Sequence, residues 1–141
     1  MEDCAFCRIV AGVEPASIIL TDEKVLAFMN TQPVNLGHVL IIPKGHAAQL
    51  SELDEEIGAQ IFRVAMRVSG GLRRSAVRCE GINLLLADGE AVCQEVFHVH
   101  LHVIPRFRDD GFGLRFGKNY GLRPDRKELD KIALSIREAV H

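Results

Sequence analysis

Hydrophobic positions along the chain change period several times, and each change marks an element. Ile18 to Leu20 and Lys24 to Asn30 read as two strands joined by a turn at Thr21-Asp22-Glu23. Val39, Leu40, Ile41 and Ile42 form an unbroken apolar run within His38 to Pro43, which predicts a buried strand entered through Gly37. After Asp54 the spacing becomes helical, with Ile57, Ile61, Val64, Ala65, Val68 and Leu72 on one face. That pattern passes through Gly70-Gly71, where each glycine costs about 1 kcal/mol relative to alanine, so a bend or a close approach is expected there. Ile82 to Ala87 returns to an apolar run of strand length before the Asp88-Gly89 turn, and Val96 to Ile104 predicts a further strand closed by Pro105. Pro124-Asp125 opens a last helix, with Asp125 and Glu128 spaced as a capping box and Leu129, Ile132, Ala133, Ile136 and Val140 along one face. Together these elements predict an α+β fold, a mainly antiparallel five-stranded sheet with two principal helices on one face.

No internal repeat, low-complexity tract or linker interrupts the pattern, so residues 1–141 are expected to form a single domain. A hydrophobic content of 48% over 141 residues is enough for one core. The net charge of −2 leaves no excess of Lys and Arg to neutralise a polymer of phosphates, which argues against nucleic acid as the main partner. A small anionic ligand needs only local positive character. No stretch approaches the roughly 18 apolar residues of a membrane span, and the start Met1-Glu2-Asp3-Cys4 is acidic where a signal peptide is basic, so a cytoplasmic location is expected.

Candidate chemistry is concentrated in Phe97-His98-Val99-His100-Leu101-His102-Val103-Ile104, where histidine alternates with an apolar residue. On a strand this places His98, His100 and His102 on one face, about 7 Å apart, with Val99, Leu101 and Val103 on the core side. Neutral histidine is a nucleophile near pH 7, which gives that spacing a use. Cys4 and Cys7 have the spacing of a metal-ligand pair, the alternative being an unliganded surface pair; Cys79 and Cys93 have no such spacing and read as small thiols.

His98-Val-His100-Leu-His102-Val-Ile104 resembles the His-x-His-x-His signature of the histidine triad (HIT) family. The likeness extends to Cys4-Ala-Phe-Cys7-Arg-Ile-Val-Ala-Gly12, to Pro33-Val-Asn-Leu-Gly-His38-Val-Leu-Ile-Ile-Pro-Lys44 and to Asp88-Gly-Glu-Ala-Val-Cys-Gln94-Glu-Val-Phe-His98, from residue 4 to about residue 113. The resemblance implies a HIT-like α+β domain that hydrolyses or transfers at the α-phosphate of purine nucleotide esters or amides. The middle histidine, His100, would attack phosphorus to form a nucleotidyl-histidine that water then cleaves. A hydrogen bond from its Nδ1–H to a nearby carbonyl would aim Nε2 outward. His102, and Gln94 through its amide, are implied donors to the phosphate, and His98 and His38 complete the site. Taken from the residues alone, His38 reads equally as a capped histidine at a strand start.

The resemblance also implies a structural zinc ion on Cys4, Cys7, His46 and His98, whose four ligands leave no open position for water. Phe28, Asn30, Thr31 and Leu26 resemble positions that hold base and ribose, although Phe28 alone would read as ordinary core. Cys93 and Glu95 belong to the loop before the triad. Asn30 stands where an aspartate is common and Cys93 where a glycine is common. A homodimer is implied, and the segment from Asp109 through Arg123, with Phe112, Phe116 and Tyr120, is a candidate to reach an active site. Two other readings stay open: a metallohydrolase with zinc as Lewis acid, and a nucleotide-binding regulatory module whose chemistry is vestigial.

Overall fold

The structure is a computed structural model that describes residues 3–140, so Met1 and Glu2 of the acidic start lie outside the described residues. The chain divides into two units, Met1–Gly111 and Phe112–His141.

The first unit holds the expected sheet. β1 (Ile18–Thr21), β2 (Val25–Met29), β3 (Val39–Pro43), β4 (Gly81–Leu86) and β5 (Leu101–Arg106) pair antiparallel in the order β1-β2-β3-β5-β4. The apolar run of β3 is unbroken because both of its faces are covered. Val39 and Ile41 pack with Ile61, Val64, Ala65 and Val68 of α2 (Glu55–Arg74), while Leu40 and Ile42 pack with Leu26, Phe28 and Phe6 on the other side. α2 starts where its sequence says it should, with the Asp54 carboxylate accepting the Glu56 N–H at 2.8 Å. It runs through Gly70-Gly71 as one helix.

Two expectations are corrected here. The last strand begins at Leu101, not Val96, so His98 and His100 precede it. The ladder with β3 pairs Ile41 with Leu101 and stops two residues short of Pro43, which has no N–H to donate. Val99 N–H turns instead to the Ala47 carbonyl at 2.8 Å. The strand also continues through Pro105 to Arg106, beyond Val103, the last partner of β3, and is paired there with β4 alone. The sequence reading also passed over α1 (Ala5–Val10), a six-residue helix capped by the Cys4 sulfur.

In the second unit, α3 (Arg126–Ala139) is capped as expected, the Asp125 carboxylate accepting the Glu128 N–H at 2.8 Å. Leu129, Ile132 and Ile136 lie on it, Val140 is its cap, and none of its residues is buried. Of the two helices expected to cover the sheet, α2 does so within the first unit. Among the described residues no helix is long and apolar enough to cross a membrane.

Candidate active site and metal centre

A cavity of about 490 Å3 opens where α1, the end of β2 and the triad segment meet. That is a volume suited to a small-molecule ligand. His38, His100 and His102 line it, with Phe28, Asn30 and Thr31 from the end of β2 and Cys93 and Glu95 from the loop before the triad.

The hydrogen bonds around the histidines determine which nitrogen carries each proton. His100 Nδ1 lies 2.8 Å from the His98 carbonyl, an acceptor only, so Nδ1 is protonated and Nε2 keeps its lone pair. The Val34 backbone N–H donates to His38 Nδ1 at 3.0 Å, and an amide N–H cannot accept. His38 is therefore protonated on Nε2, which donates to His102 Nδ1 at 2.8 Å. The remaining proton of His102 is then on its Nε2. Within one cavity, the chain has fixed one imidazole as a base and a second as a donor. Burial, and then the neighbouring His100 and His38, push His102 down to about 4, and burial also lowers His38, so both are neutral near pH 7.

The loop that carries Val34 and His38 is itself tied down. The Asn35 side-chain amide donates to the Pro105 carbonyl at 2.9 Å and to the Asp110 carboxylate at 2.8 Å, and Arg106 donates to both Asp110 oxygens at 2.7 and 2.8 Å. Gly37 is required in this loop: its φ is +101°, and a Cβ there would lie 2.6 Å from Val77 Cγ1.

His98 departs from the expected three-imidazole stripe. Its ring is fully buried, and its Nε2–H donates to the Pro43 carbonyl at 2.7 Å, the one the broken ladder leaves over. Its Nδ1 lone pair points to Cys4 Sγ at 3.5 Å and Cys7 Sγ at 3.6 Å, and His46 Nδ1 lies 3.3 Å from Cys7 Sγ. Ligand bonds of about 2.3 Å to sulfur and about 2.0 Å to nitrogen at tetrahedral angles put sulfur and nitrogen about 3.5 Å apart. All four candidate ligand atoms lie within 4.8 Å of one another. The donor set and its spacing thus fit a tetrahedral divalent metal. Burial and the Cys4 sulfur push the Cys7 thiol up, an arrangement that a bound cation reverses.

Three sequence-based assignments look different in the structure. Leu26 does not line the cavity, because it is packed beneath it with Phe6, Leu40 and Ile42. Gln94 is buried and does not line it either. Its amide donates to the Ala48 carbonyl at 2.7 Å and the Val96 carbonyl at 3.2 Å, and its oxygen accepts the Gly89 N–H at 2.8 Å, so it braces two loops. Asn30 does line the cavity, but its oxygen already accepts the Gln32 N–H at 2.8 Å and its amide nitrogen lies 3.5 Å from His38 Nε2. Cys93 adopts the left-handed backbone, φ 64°, at a position where a glycine would be unstrained.

Sequence reasoning missed Ala5, Phe6 and Ile9 of α1, which line the cavity, and also Val34, Asn35 and Asp110. The helical spacing of Phe6, Ile9 and Val10 was the available signal for the first group. In the second, Val34 acts through its backbone N–H, and Asn35 and Asp110 meet across 75 residues of chain, so no local pattern announces them.

The model of the HIT domain family matches residues 11–109. A HIT-like protein of Borreliella burgdorferi is 39% identical over 139 residues, covering 96% of this chain and all of its own length. The adenosine 5'-monophosphoramidase of Schizosaccharomyces pombe is 36% identical over 123 residues, covering 86% of this chain and 88% of its own. Among solved structures, a HIT family protein from Bacillus anthracis has a TM-score of 0.92 at 35% identity, covering 99% of both chains. A zinc-bound histidine triad family protein from Mycobacterium smegmatis has a TM-score of 0.76 at 35% identity, again over 99% of both.

Proposed function

The chain belongs to the HIT family, and from that premise we propose that it is a nucleotidyl hydrolase or phosphoramidase acting at the α-phosphate of purine nucleotide amides or esters. The observation that carries this reading is the pairing of an imidazole with a free Nε2 and an imidazole held as an Nε2–H donor in one cavity. In the first step the His100 Nε2 lone pair forms a bond to phosphorus while the bond from phosphorus to the leaving group breaks. The leaving nitrogen or oxygen takes a proton from solvent water, and His102 Nε2–H donates to the phosphoryl oxygens as charge builds on them. In the second step water attacks phosphorus and gives up a proton to the solvent, the bond to His100 Nε2 breaks to restore its lone pair, and the nucleoside monophosphate is released. Phe28, Asn30 and Thr31 are the proposed base and ribose contacts, with Cys93 and Glu95 on the phosphate side.

Cys4, Cys7, His46 and His98 are the proposed zinc ligands, and with all four positions filled by protein the ion would serve as a structural clip. Residues 1–141 are proposed to work as one functional domain in the cytoplasm, where cysteines offered as metal ligands stay reduced. A homodimer is proposed on two features: β4 is an edge strand with Leu84 and Leu85 exposed, and α2 exposes Phe62 and Met66. A nucleotide-binding module without turnover is the second reading, favoured by the commitment of the Gln94 amide to backbone carbonyls.

Mass spectrometry of the intact protein after mixing with adenosine and guanosine phosphoramidates separates the two readings. Turnover through His100 predicts an adduct of one nucleoside monophosphate that is lost in His100→Ala while nucleotide binding remains. A rate in that variant above about a hundredth of wild type, the lower bound for one positioned acid or base, would mean that another group attacks.

A further inference from the structure

The metal cluster and the His100 imidazole meet on one aromatic ring. Phe6 lies on α1 between Cys4 and Cys7, and its ring makes edge contacts with Phe28 at 5.6 Å, His98 at 5.8 Å and His100 at 5.2 Å between centroids. A side chain flanked by two candidate ligands therefore touches a third ligand and the attacking imidazole.

We propose that Phe6 is a positioning residue through which metal bound at Cys4, Cys7, His46 and His98 holds the His100 imidazole in line for attack. The proposal rests on the reading of His100 as nucleophile. His100 has one polar anchor, the bond from Nδ1–H to the His98 carbonyl. That bond fixes one nitrogen but lets the ring rock, and attack on phosphorus needs Nε2 held in a narrow range of directions. Edge contacts from Phe6 and from His102, at 5.0 Å, restrict the rocking.

The two supports of His100 depend on the metal to different degrees. The His98 ring is anchored by the Pro43 carbonyl whether or not metal is bound, so the carbonyl that holds His100 stays in place. α1 has six residues, too few to persist as an isolated helix, and the sulfurs of Cys7 and of its cap Cys4 tie it to His46 and His98. Loss of the metal loosens α1 and weakens the Phe6 contact. The apolar packing of Phe6 with Leu40 and Ile42 keeps the chain folded, so attack slows but does not stop.

The test is a cycle of wild type and Phe6→Leu, each zinc-loaded and chelated, with two readouts. One is the imidazole 15N signals of His100 without nucleotide; the other is the single-turnover rate of adduct formation with adenosine phosphoramidate. Chelation of wild type, and Phe6→Leu with zinc retained, should each slow attack roughly two- to tenfold, the worth of an aromatic pair. Each should also broaden the His100 signals, and Phe6→Tyr should behave as wild type. Chelation of Phe6→Leu should add less than about twofold, because the two changes remove the same contact. Equal fold-losses on chelating both proteins, or His100 signals untouched by chelation, would overturn the proposal. If no protein forms an adduct, the nucleophile reading has failed and the ring signals alone decide the coupling. If Phe6→Leu does not fold, chelation of wild type, followed through the same signals, decides it.

Discussion

Replacing His38 by phenylalanine should remove the proton arrangement of the active site while leaving its cavity nearly the same size. His38 receives the Val34 N–H on one nitrogen and hands its own proton to His102 on the other. Without it, nothing selects the His102 tautomer. If both tautomers become equally populated, half the molecules lack the Nε2–H donor, a loss of about 0.4 kcal/mol in rate terms. Complete loss of one such donor costs about 2.7 to 4 kcal/mol, which sets the upper bound and the expectation for His102→Ala. Between them lies the lost orientation of the ring, about 0.5 to 1.5 kcal/mol for one hydrogen bond. His38→Phe is therefore expected to lower kcat/KM by about 1 to 2 kcal/mol, roughly 5- to 30-fold. It should also destabilise the fold by about 1 to 3 kcal/mol, because the Val34 N–H is left without an acceptor. His38→Gln places its amide the same number of bonds from Cβ as the imidazole Nε2 and should recover most of the rate without the stability. The assay is steady-state hydrolysis of adenosine phosphoramidate by wild type, both His38 variants, His102→Ala and the double variant His38→Phe/His102→Ala. If His38 acts through His102, its replacement costs little once His102 is gone. A kcat/KM for His38→Phe within twofold of wild type, or an undiminished loss in the His102→Ala background, would refute the reasoning.

Three further outcomes follow from the same geometry. Zinc analysis should find one equivalent per chain, and Cys4→Ser should lower both metal content and Tm, since the free energy of binding a structural metal is partly folding free energy; immediate and complete loss of turnover on chelating a protein that stays folded would make the metal catalytic. Asn30→Asp should tighten binding of ribonucleotides by about 1 kcal/mol, because one carboxylate oxygen keeps the Gln32 N–H while the other becomes a charged acceptor for a ribose hydroxyl; equal shifts with 2′,3′-dideoxynucleotides in calorimetry would point to overall charge instead. The metal-free protein should lose stability on acidification from pH 7 towards 4. Through this window the unfolded chain takes up a proton at His102 that the folded chain, with His102 held down to about 4, refuses. Tm measured against pH should fall less steeply for His102→Asn than for wild type.

The sheet was legible in the sequence because its strands are either fully apolar, as in β3, or bounded by turn residues, as at Asp88-Gly89. The Asp125 cap was legible for the same local reason. Alternation at His98, His100 and His102 pointed to the segment whose His100 and His102 line the cavity but misplaced one ring, because strict period two assumes a strand, and the strand does not begin until Leu101. What ended it was Pro43, distant in sequence and opposite in the ladder, so no window around the histidines contained the cause. The tautomers of His38 and His102 rest on the Val34 amide, and any residue but proline at that position would supply the same donor. Leu26 illustrates the opposite error. It lies two residues from Phe28 on the same face of β2, yet Phe28 lines the cavity while Leu26 is packed away from it among Phe6, Leu40 and Ile42, a difference that arises only in the tertiary packing.

The position of the candidate ligands along the chain bears on the order in which the protein matures. Cys4 and His98 are separated by 94 residues, and four of the five strands lie between them. A chain emerging from the ribosome presents the two cysteines first, at a time when they offer an ion only half of its ligands. Closing a loop of that length carries a large entropy cost, and native contacts within the sheet must offset it before His98 arrives beside the cysteines. A metal bound by all four residues would thus enter at the end of folding and would not nucleate it. Refolding in the presence and absence of zinc should proceed at the same rate, and only the stability of the finished product should differ.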